Sequence, residues 1–211
     1  TPLTTLRIGE LAAVAGLDPD LFQVLTGKGS VVGDRFVTHP GIGKVVFTGS
    51  TEVGTQVMAG AAKQIKRVTL ELGGKSANII FDDCDLERAA AAAPGGVFDN
   101  AGQDCCARSR ILVQRNVYDR FMELLEPAVR AVVVGDPSVR GTDMGPLVSG
   151  PHLQSVAAFV PDDTSVAFRG TAPAGPGYWF PPTVMTPQRT DRVATDEIFG
   201  PVVALTTFQD D

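Results

Sequence analysis

Two adjacent cysteines are the residues of this chain best suited to covalent chemistry. Cys105 and Cys106 stand in the segment Ala101–Ala107, between a predicted helix and a predicted strand. A loop thiol among small residues is accessible to a substrate, and a nearby helix end would lower its pKa. Free cysteines are also common in protein cores, so a structural role is the alternative. Backbone alternation should turn the two side chains opposite ways. We therefore expect at most one nucleophile, and the residue types alone do not decide which.

Glu71 is a carboxylate in a position that suits an enzymatic base. It lies at the carboxyl end of the predicted strand Val68–Leu72, directly before Gly73-Gly74. Ligands of open α/β sheets bind beyond the carboxyl ends of the strands. A partly buried glutamate in such a place has a raised pKa and can act as a general base near neutral pH. The alternative is a solvated glutamate at the end of a strand.

The segment Phe47–Gly54, with the sequence FTGSTEVG, predicts a strand, a turn of small residues and the start of a helix. Backbone N–H groups at a helix N-terminus attract anions, and glycines let a phosphate approach closely. Glu52 would repel that phosphate unless its side chain points away. The alternative is an ordinary strand-to-helix turn with an N-cap.

Several common catalytic motifs are missing from the sequence. It contains no Gly-x-Gly-x-x-Gly, no Walker lysine, no Gly-x-Ser-x-Gly and no His-Glu-x-x-His, which argues against P-loop hydrolases, α/β-hydrolases and zincin proteases. No Cys-x-x-Cys pair supports a metal site. The two histidines, His39 and His152, stand in a loop and at a predicted helix start. Either could serve a cysteine as a base, but histidines in such places are mostly structural.

Composition narrows the class of protein. The 211 residues include 18 Lys+Arg and 24 Asp+Glu, a net charge of −6, which argues against a general nucleic-acid binder. No apolar run reaches the roughly 20 residues of a membrane helix, and no secretory signal opens the chain. The three cysteines form no disulfide framework, and free thiols suit a reducing compartment. We therefore expect a soluble, cytoplasmic protein without nucleic-acid or membrane partners.

Helical and strand patterns alternate along the chain, which is typical of parallel α/β structure. Strands are predicted at Leu21–Leu25, Val45–Phe47, Val68–Leu72, Ala77–Phe81, Ile111–Gln114 and Val202–Phe208. Helices are predicted from the Thr1 cap to Gly16, at Asp34–Thr38, from Ser50 to Ala62, at Leu86–Asn100 with a bend or break at Pro94 and Gly95-Gly96, and at Val117–Val134. Gly73-Gly74 is the predicted boundary between two α/β units, 1–72 and 73–211.

Seven short motifs follow one another in a characteristic order. They are FTGSTEVG (47–54), ELGGKS (71–76), GQDCCARSR (102–110), Asp136-Pro137, Gly145-Pro146-Leu147, Pro181–Val184 and EIFGP (197–201). Together they resemble the NAD(P)-dependent aldehyde dehydrogenase superfamily over nearly the whole chain. The resemblance implies part of a Rossmann-like cofactor-binding domain over 1–72, without the usual glycine fingerprint. Most of an α/β catalytic domain, incomplete at its C-terminus, would follow over 73–211.

The resemblance also implies roles for individual residues. Cys105 matches the nucleophile of the family's Gly-Gln-x-Cys pattern, and Glu71 matches the general base. The residues that match cofactor contacts are Gly49, Ser50, Val53, Gly54 and Leu72, together with Glu197 and Phe199 at the nicotinamide ribose and ring.

The implied reaction is oxidation of an aldehyde to a carboxylic acid with NAD or NADP. The Cys105 thiolate attacks the carbonyl to give a thiohemiacetal, hydride transfer leaves a thioester, and Glu71 activates the water that hydrolyses it. The implied partners are a small-molecule aldehyde and, in the full-length form, further copies of the protein.

Two alternatives remain open at this point. The family's oxyanion asparagine and adenosine-ribose lysine segments would precede Thr1, and the chain ends soon after EIFGP. A truncated, catalytically incomplete homologue or fragment is therefore the first alternative. The second is a thiol-dependent acyltransferase or protease that uses Cys105 or Cys106 with a histidine.

Overall fold

The computed structural model describes residues 2–161 and 165–209. The chain divides into two compact units, Thr1–Leu72 and Gly73–Asp211. The helix cap predicted at Thr1 lies outside the described residues. Helices alternate with strands in both units and most strand pairs are parallel, so the prediction of an α/β fold is confirmed. Within the described ranges, no helix is both long and apolar enough to cross a membrane.

The first unit is built around two parallel strands. Its elements are helix α1 (Leu3–Val14), a π-helical turn (Gly29–Gly33), helix α2 (Asp34–Thr38), strand β1 (Lys44–Gly49), helix α3 (Thr51–Ala62) and strand β2 (Arg67–Leu72). The strands pair in parallel from Lys44 opposite Arg67 to Gly49 opposite Leu72. Val37, Val57 and Ala61 form a small buried core against the sheet.

The strand predicted at Leu21–Leu25 is wrong. The segment is irregular, and Leu21 and Leu25 are 76% and 62% exposed. An apolar run becomes a strand only when its backbone groups find a neighbouring strand to pair with. Among the described residues of this unit, only β1 and β2 pair.

The second unit contains a five-stranded sheet. Its elements are β3 (Ala77–Ile80), α4 (Leu86–Phe98), β4 (Arg110–Gln114), α5 (Tyr118–Arg130), α6 (Gly150–Ala157), β5 (Val166–Arg169), β6 (Thr183–Met185), α7 (Arg192–Thr195) and β7 (Val202–Phe208). The strand order is β3-β4-β7-β6-β5, parallel except for β5, which runs antiparallel to β6. Helix α5 contributes Phe121, Leu125 and Val129 to the core, at the spacing that places them on one helix face.

Helix α4 is more continuous than its sequence predicts. It runs through Pro94 to Phe98, and a 3-10 turn, Asp99–Gly102, follows. Proline lacks the N–H that would donate to the carbonyl four residues earlier. The buried face that includes Ala93, Val97 and Phe98 keeps the helix in place despite this missing bond.

Candidate active site

The carboxyl ends of β1 and β2 bring several of the proposed site residues together in the first unit. In the parallel register Glu71 lies opposite Thr48, and Leu72 lies opposite Gly49. Glu71 is exposed, so the expectation of a partly buried carboxylate is wrong, and the carboxylate is available to a ligand at this edge. Gly54 packs against Leu72, because a Cβ at Gly54 would be only 2.6 Å from the Leu72 Cδ2 atom.

The N-terminus of α3 lies at the same edge of the sheet. The Val53 N–H donates to the Ser50 hydroxyl oxygen at 3.3 Å, which caps the helix. Phe47–Gly54 can therefore be both an N-capped turn and an anion-binding turn, because a capped helix start still presents backbone N–H groups of its first turn.

A cavity of about 760 Å³ lies beside α3 and β1. Its lining is mainly apolar and includes Phe36, Val45, Phe47, Val53 and Val57. A concave apolar surface next to an anion-attracting helix start suits a ligand that joins a flat ring system to a phosphate.

In the second unit the two vicinal cysteines lie in a turn and are both exposed. Their sulfur atoms are 3.8 Å apart. The expectation that the side chains point in opposite directions is therefore wrong, because alternation holds for extended backbone and not for a turn. The backbone N–H of Cys106 donates to the Asp104 carboxylate at 3.0 Å, which stabilises this turn.

The pKa of the Cys105 thiol is raised and not lowered. The hydrogen bond with Cys106 is the largest cause, followed by the charge of Cys106, by desolvation and by Asp104. The predicted helix-end effect therefore does not dominate. Because attack requires the thiolate, Cys105 needs a proton acceptor or a nearby positive charge before it can react.

The backbone before Cys105 is strongly constrained. Asn100, Ala101 and Gly102 have φ values of +50°, +57° and +69°. The Asn100 side chain donates to the Gln103 carbonyl at 2.9 Å, and the Gln103 amide donates back to the Asn100 carbonyl at 3.0 Å. Gln103 also accepts from the Val148 N–H at 2.9 Å. Such strain persists where the surroundings over-determine the backbone, as they do here.

Gly102 joins this loop to the segment Glu197–Pro201. A Cβ on Gly102 would overlap the Gly200 carbonyl, so the two backbones are in direct contact. The structure thereby brings the loop that carries Cys105 against the segment that carries Glu197 and Phe199.

Glu197 and Phe199 flank the buried Ile198. The Glu197 carboxylate lies over Gly73, where a Cβ would overlap it. Phe199 has a φ of +55° and is 41% exposed. His152 Nε2 donates to the Phe199 carbonyl at 2.7 Å, and the two rings meet edge to face.

The histidines therefore have structural contacts. Nε2 of His152 is engaged by Phe199, and Nδ1 of His39 accepts from the Gly41 N–H at 3.0 Å. Neither contact pairs a histidine with a cysteine.

Lys75 is a candidate active-site residue that the sequence alone did not single out. Its amine is buried without a hydrogen-bond partner. Burial lowers its pKa to about 8, with a further lowering from Arg110 and opposing effects of Asp196 and Glu197. Its position inside the ELGGKS motif (71–76) is the sequence feature that could have indicated it.

Comparison with known proteins places the whole chain in one group. A family model described as the aldehyde dehydrogenase family matches residues 1–211. An aldehyde dehydrogenase of Agaricus bisporus is 41% identical over all of this chain and 43% of its own length. Human cytosolic 10-formyltetrahydrofolate dehydrogenase is 40% identical over all of this chain and 24% of its own length.

Comparison with a solved structure also finds an aldehyde dehydrogenase. Betaine aldehyde dehydrogenase from Staphylococcus aureus, in complex with NAD+, superposes with a TM-score of 0.94 at 37% identity. The match covers all of this chain and 43% of that one. The chain thus spans less than half the length of these relatives.

Proposed function

Because the chain belongs to the aldehyde dehydrogenase family, we propose that the protein oxidises an aldehyde to a carboxylic acid with NAD+ or NADP+ as hydride acceptor. The observation that carries this proposal is the contact between Gly102 and Gly200. It supports the proposal because the cysteine loop touches the segment that carries Glu197 and Phe199, the two residues expected to hold the nicotinamide. The predicted fold, part of a Rossmann-like domain followed by an α/β catalytic domain, is confirmed by the likeness to solved aldehyde dehydrogenases.

We assign most of the cofactor contacts and the base Glu71 to the first unit, 1–72, and the nucleophile together with Glu197 and Phe199 to the second, 73–211. The residues present fit a dinucleotide. The apolar cavity beside α3 suits an adenine ring, and the α3 N-terminus with Gly49, Ser50, Val53 and Gly54 suits a phosphate. Leu72 lies beside this turn. Glu197 would accept hydrogen bonds from the ribose hydroxyls, and Phe199 would pack on the nicotinamide, whose ring supplies the hydride-accepting carbon.

The chain's own residues account for the covalent steps. The Cys105 thiol loses its proton to solvent, and its sulfur attacks the aldehyde carbon, which gives a thiohemiacetal oxyanion. The backbone N–H of Cys105 would donate to the oxyanion. Departure of hydride leaves a thioester on the same sulfur. Glu71 then accepts a proton from water, which attacks the thioester and releases the acid.

A second candidate function is cofactor binding without turnover. One observation favours it: the pKa of the proposed nucleophile, Cys105, is raised. Self-association and a cytoplasmic location stay expectations from the sequence.

One experiment separates the two functions. The purified chain is mixed with NAD+ or NADP+ and a panel of aliphatic and aromatic aldehydes, and the absorbance of reduced nicotinamide is followed. We expect steady turnover in the wild type. In Glu71→Gln we expect a rapid burst of one equivalent of reduced nicotinamide, followed by slow release of the carboxylic acid. The reason is that the thioester still forms on Cys105 but is no longer hydrolysed efficiently.

The controls decide between the candidates. Equilibrium binding of NAD+ and NADP+ is measured on the same samples by calorimetry. Binding without reduction of either cofactor would overturn catalysis by this chain and support the second candidate. Equal steady rates in the wild type and Glu71→Gln would overturn the role of Glu71.

A paired glycine substitution tests Glu197. Alanine at Gly73 adds a methyl group where the Glu197 carboxylate lies, whereas alanine at Gly74 meets nothing within 4 Å. Neither glycine has a positive φ, so the pair differs mainly in this contact. We expect Gly73→Ala to weaken cofactor binding by about 10- to 100-fold, the loss of a charged hydrogen bond. The melting temperature should change little, because the end of a flexible side chain moves aside.

Calorimetric titration with NAD+ and NADP+ measures the effect, and thermal unfolding measures stability. Gly74→Ala should bind like the wild type. Equal affinities in both variants would contradict a cofactor role for Glu197, and a large loss of stability in Gly73→Ala would assign the contact to folding.

A further inference from the structure

The turn Asp104-Cys105-Cys106 has a geometry that the proposed oxidation does not require. The two sulfurs are 3.8 Å apart, and a carboxylate oxygen of Asp104 lies within 4.8 Å of both. All three residues are exposed. A nucleophile needs one sulfur, so the second sulfur and the carboxylate are left for another purpose.

The sulfur spacing matches that of a metal chelate. With Zn–S bonds of about 2.3 Å and a tetrahedral angle, two sulfurs on one ion stand about 3.8 Å apart. The observed separation is 3.8 Å. The turn therefore presents both sulfurs at the spacing of the bound form, which spares the cost of bringing them together.

The local charge also favours a cation. A groove of about 330 Å³ adjoins the turn and is lined by Asp99, Asp104, Cys106 and Arg108 among others. Two carboxylates and one guanidinium therefore line this groove. Because metal binding also converts the two thiols to thiolates, the negative charge beside the cation increases further.

We propose that Asp104, Cys105 and Cys106 form a binding site for a thiophilic divalent cation of the zinc and cadmium class. Binding forms two metal–sulfur bonds and one metal–oxygen bond, and it releases the two thiol protons to solvent. Exposure of the turn leaves the fourth position to water.

The site has a consequence for the reaction. A metal bound to the Cys105 sulfur occupies the lone pair that would attack an aldehyde, so the cation and the aldehyde exclude each other. This consequence rests on the proposed function, but the binding itself does not.

The test is a titration of the full chain with Cd²⁺ alone, followed by the ultraviolet charge-transfer absorption of Cd–thiolate bonds. The same titration is made with Cys105→Ala, Cys106→Ala, Asp104→Asn and Cys84→Ala. Cys84 is an exposed thiol of the same unit outside the turn. Circular dichroism verifies that each variant is folded.

We expect one ion per wild-type chain, with release of two protons. Each cysteine variant of the turn should bind more weakly by over 100-fold, since even the loss of an outer-shell partner costs roughly 10- to 100-fold. Asp104→Asn should lose about 10-fold by the same scale, and Cys84→Ala should match the wild type.

Three results would overturn the site. They are unchanged affinity in Cys106→Ala, loss of binding in Cys84→Ala, and one ion shared between two chains. Because the readout is absorption and not turnover, an inactive chain that binds Cd²⁺ disproves only the oxidation.

Discussion

Cys105→Ala is expected to lower aldehyde turnover by at least about 10⁴-fold, because no other group replaces an attacking nucleophile. Cys106→Ala should keep turnover, although the two sulfurs are only 3.8 Å apart. The pair is a demanding comparison, since both side chains are exposed and neither substitution opens a cavity in the core.

Cys106→Ala should also change the pH dependence. Cys106 is the largest cause of the raised pKa of the Cys105 thiol. Without it the pKa falls, so the thiolate is present at lower pH and the acidic limb of kcat/KM moves to lower pH. Turnover at neutral pH should rise or stay the same. An unchanged pH profile in this variant would contradict the assigned cause.

An activated aryl ester provides a control that needs no cofactor. Its hydrolysis requires only the nucleophile and water, so the two variants can be compared even if hydride transfer fails. Mass spectrometry of the trapped acyl group should locate it on Cys105. Acylation of Cys106 in the wild type would reverse the assignment.

Local sequence patterns predicted those parts of the fold that local physics determines. Strand Val202–Phe208 has the predicted bounds, because an apolar run after Gly200-Pro201 is buried in the middle of a sheet. Segment Leu21–Leu25 has a similar pattern but no strand. The difference lies in the pairing partner, which a local pattern does not reveal.

The site shows the same division. The positions of Glu71 beside Thr48 and of Leu72 beside Gly49 follow from parallel pairing of two predicted strands. The contacts of Gly73 with Glu197 and of Gly102 with Gly200 join segments far apart in the chain. The periodicity of apolar residues does not predict these two contacts, and only the order of the motifs along the chain indicated that the segments meet. The direction of the Cys105 and Cys106 side chains was missed because a turn replaced extended backbone.

Among the substitutions discussed, Gly102→Ala should lower the free energy of unfolding most. The new Cβ would overlap the Gly200 carbonyl, and both partners are backbone that no rotamer change can move. Overpacking costs about 1–3 kcal/mol or more, and the left-handed conformation of a non-glycine residue adds about 1–2 kcal/mol. A total of about 2–5 kcal/mol lowers the melting temperature by roughly 4–20 °C for a chain of this size.

Gly141→Ala is the matched control for this substitution. Gly141 has a φ of +92° in the same unit, but a Cβ there meets nothing within 4 Å. It should therefore show the conformational cost alone, about 1–2 kcal/mol. The difference between the two variants in thermal unfolding isolates the contact between the cysteine loop and the Glu197–Pro201 segment. Equal melting temperatures would mean that this contact does not hold the loop, and the case for a shared site of Cys105, Glu197 and Phe199 would lose its structural basis.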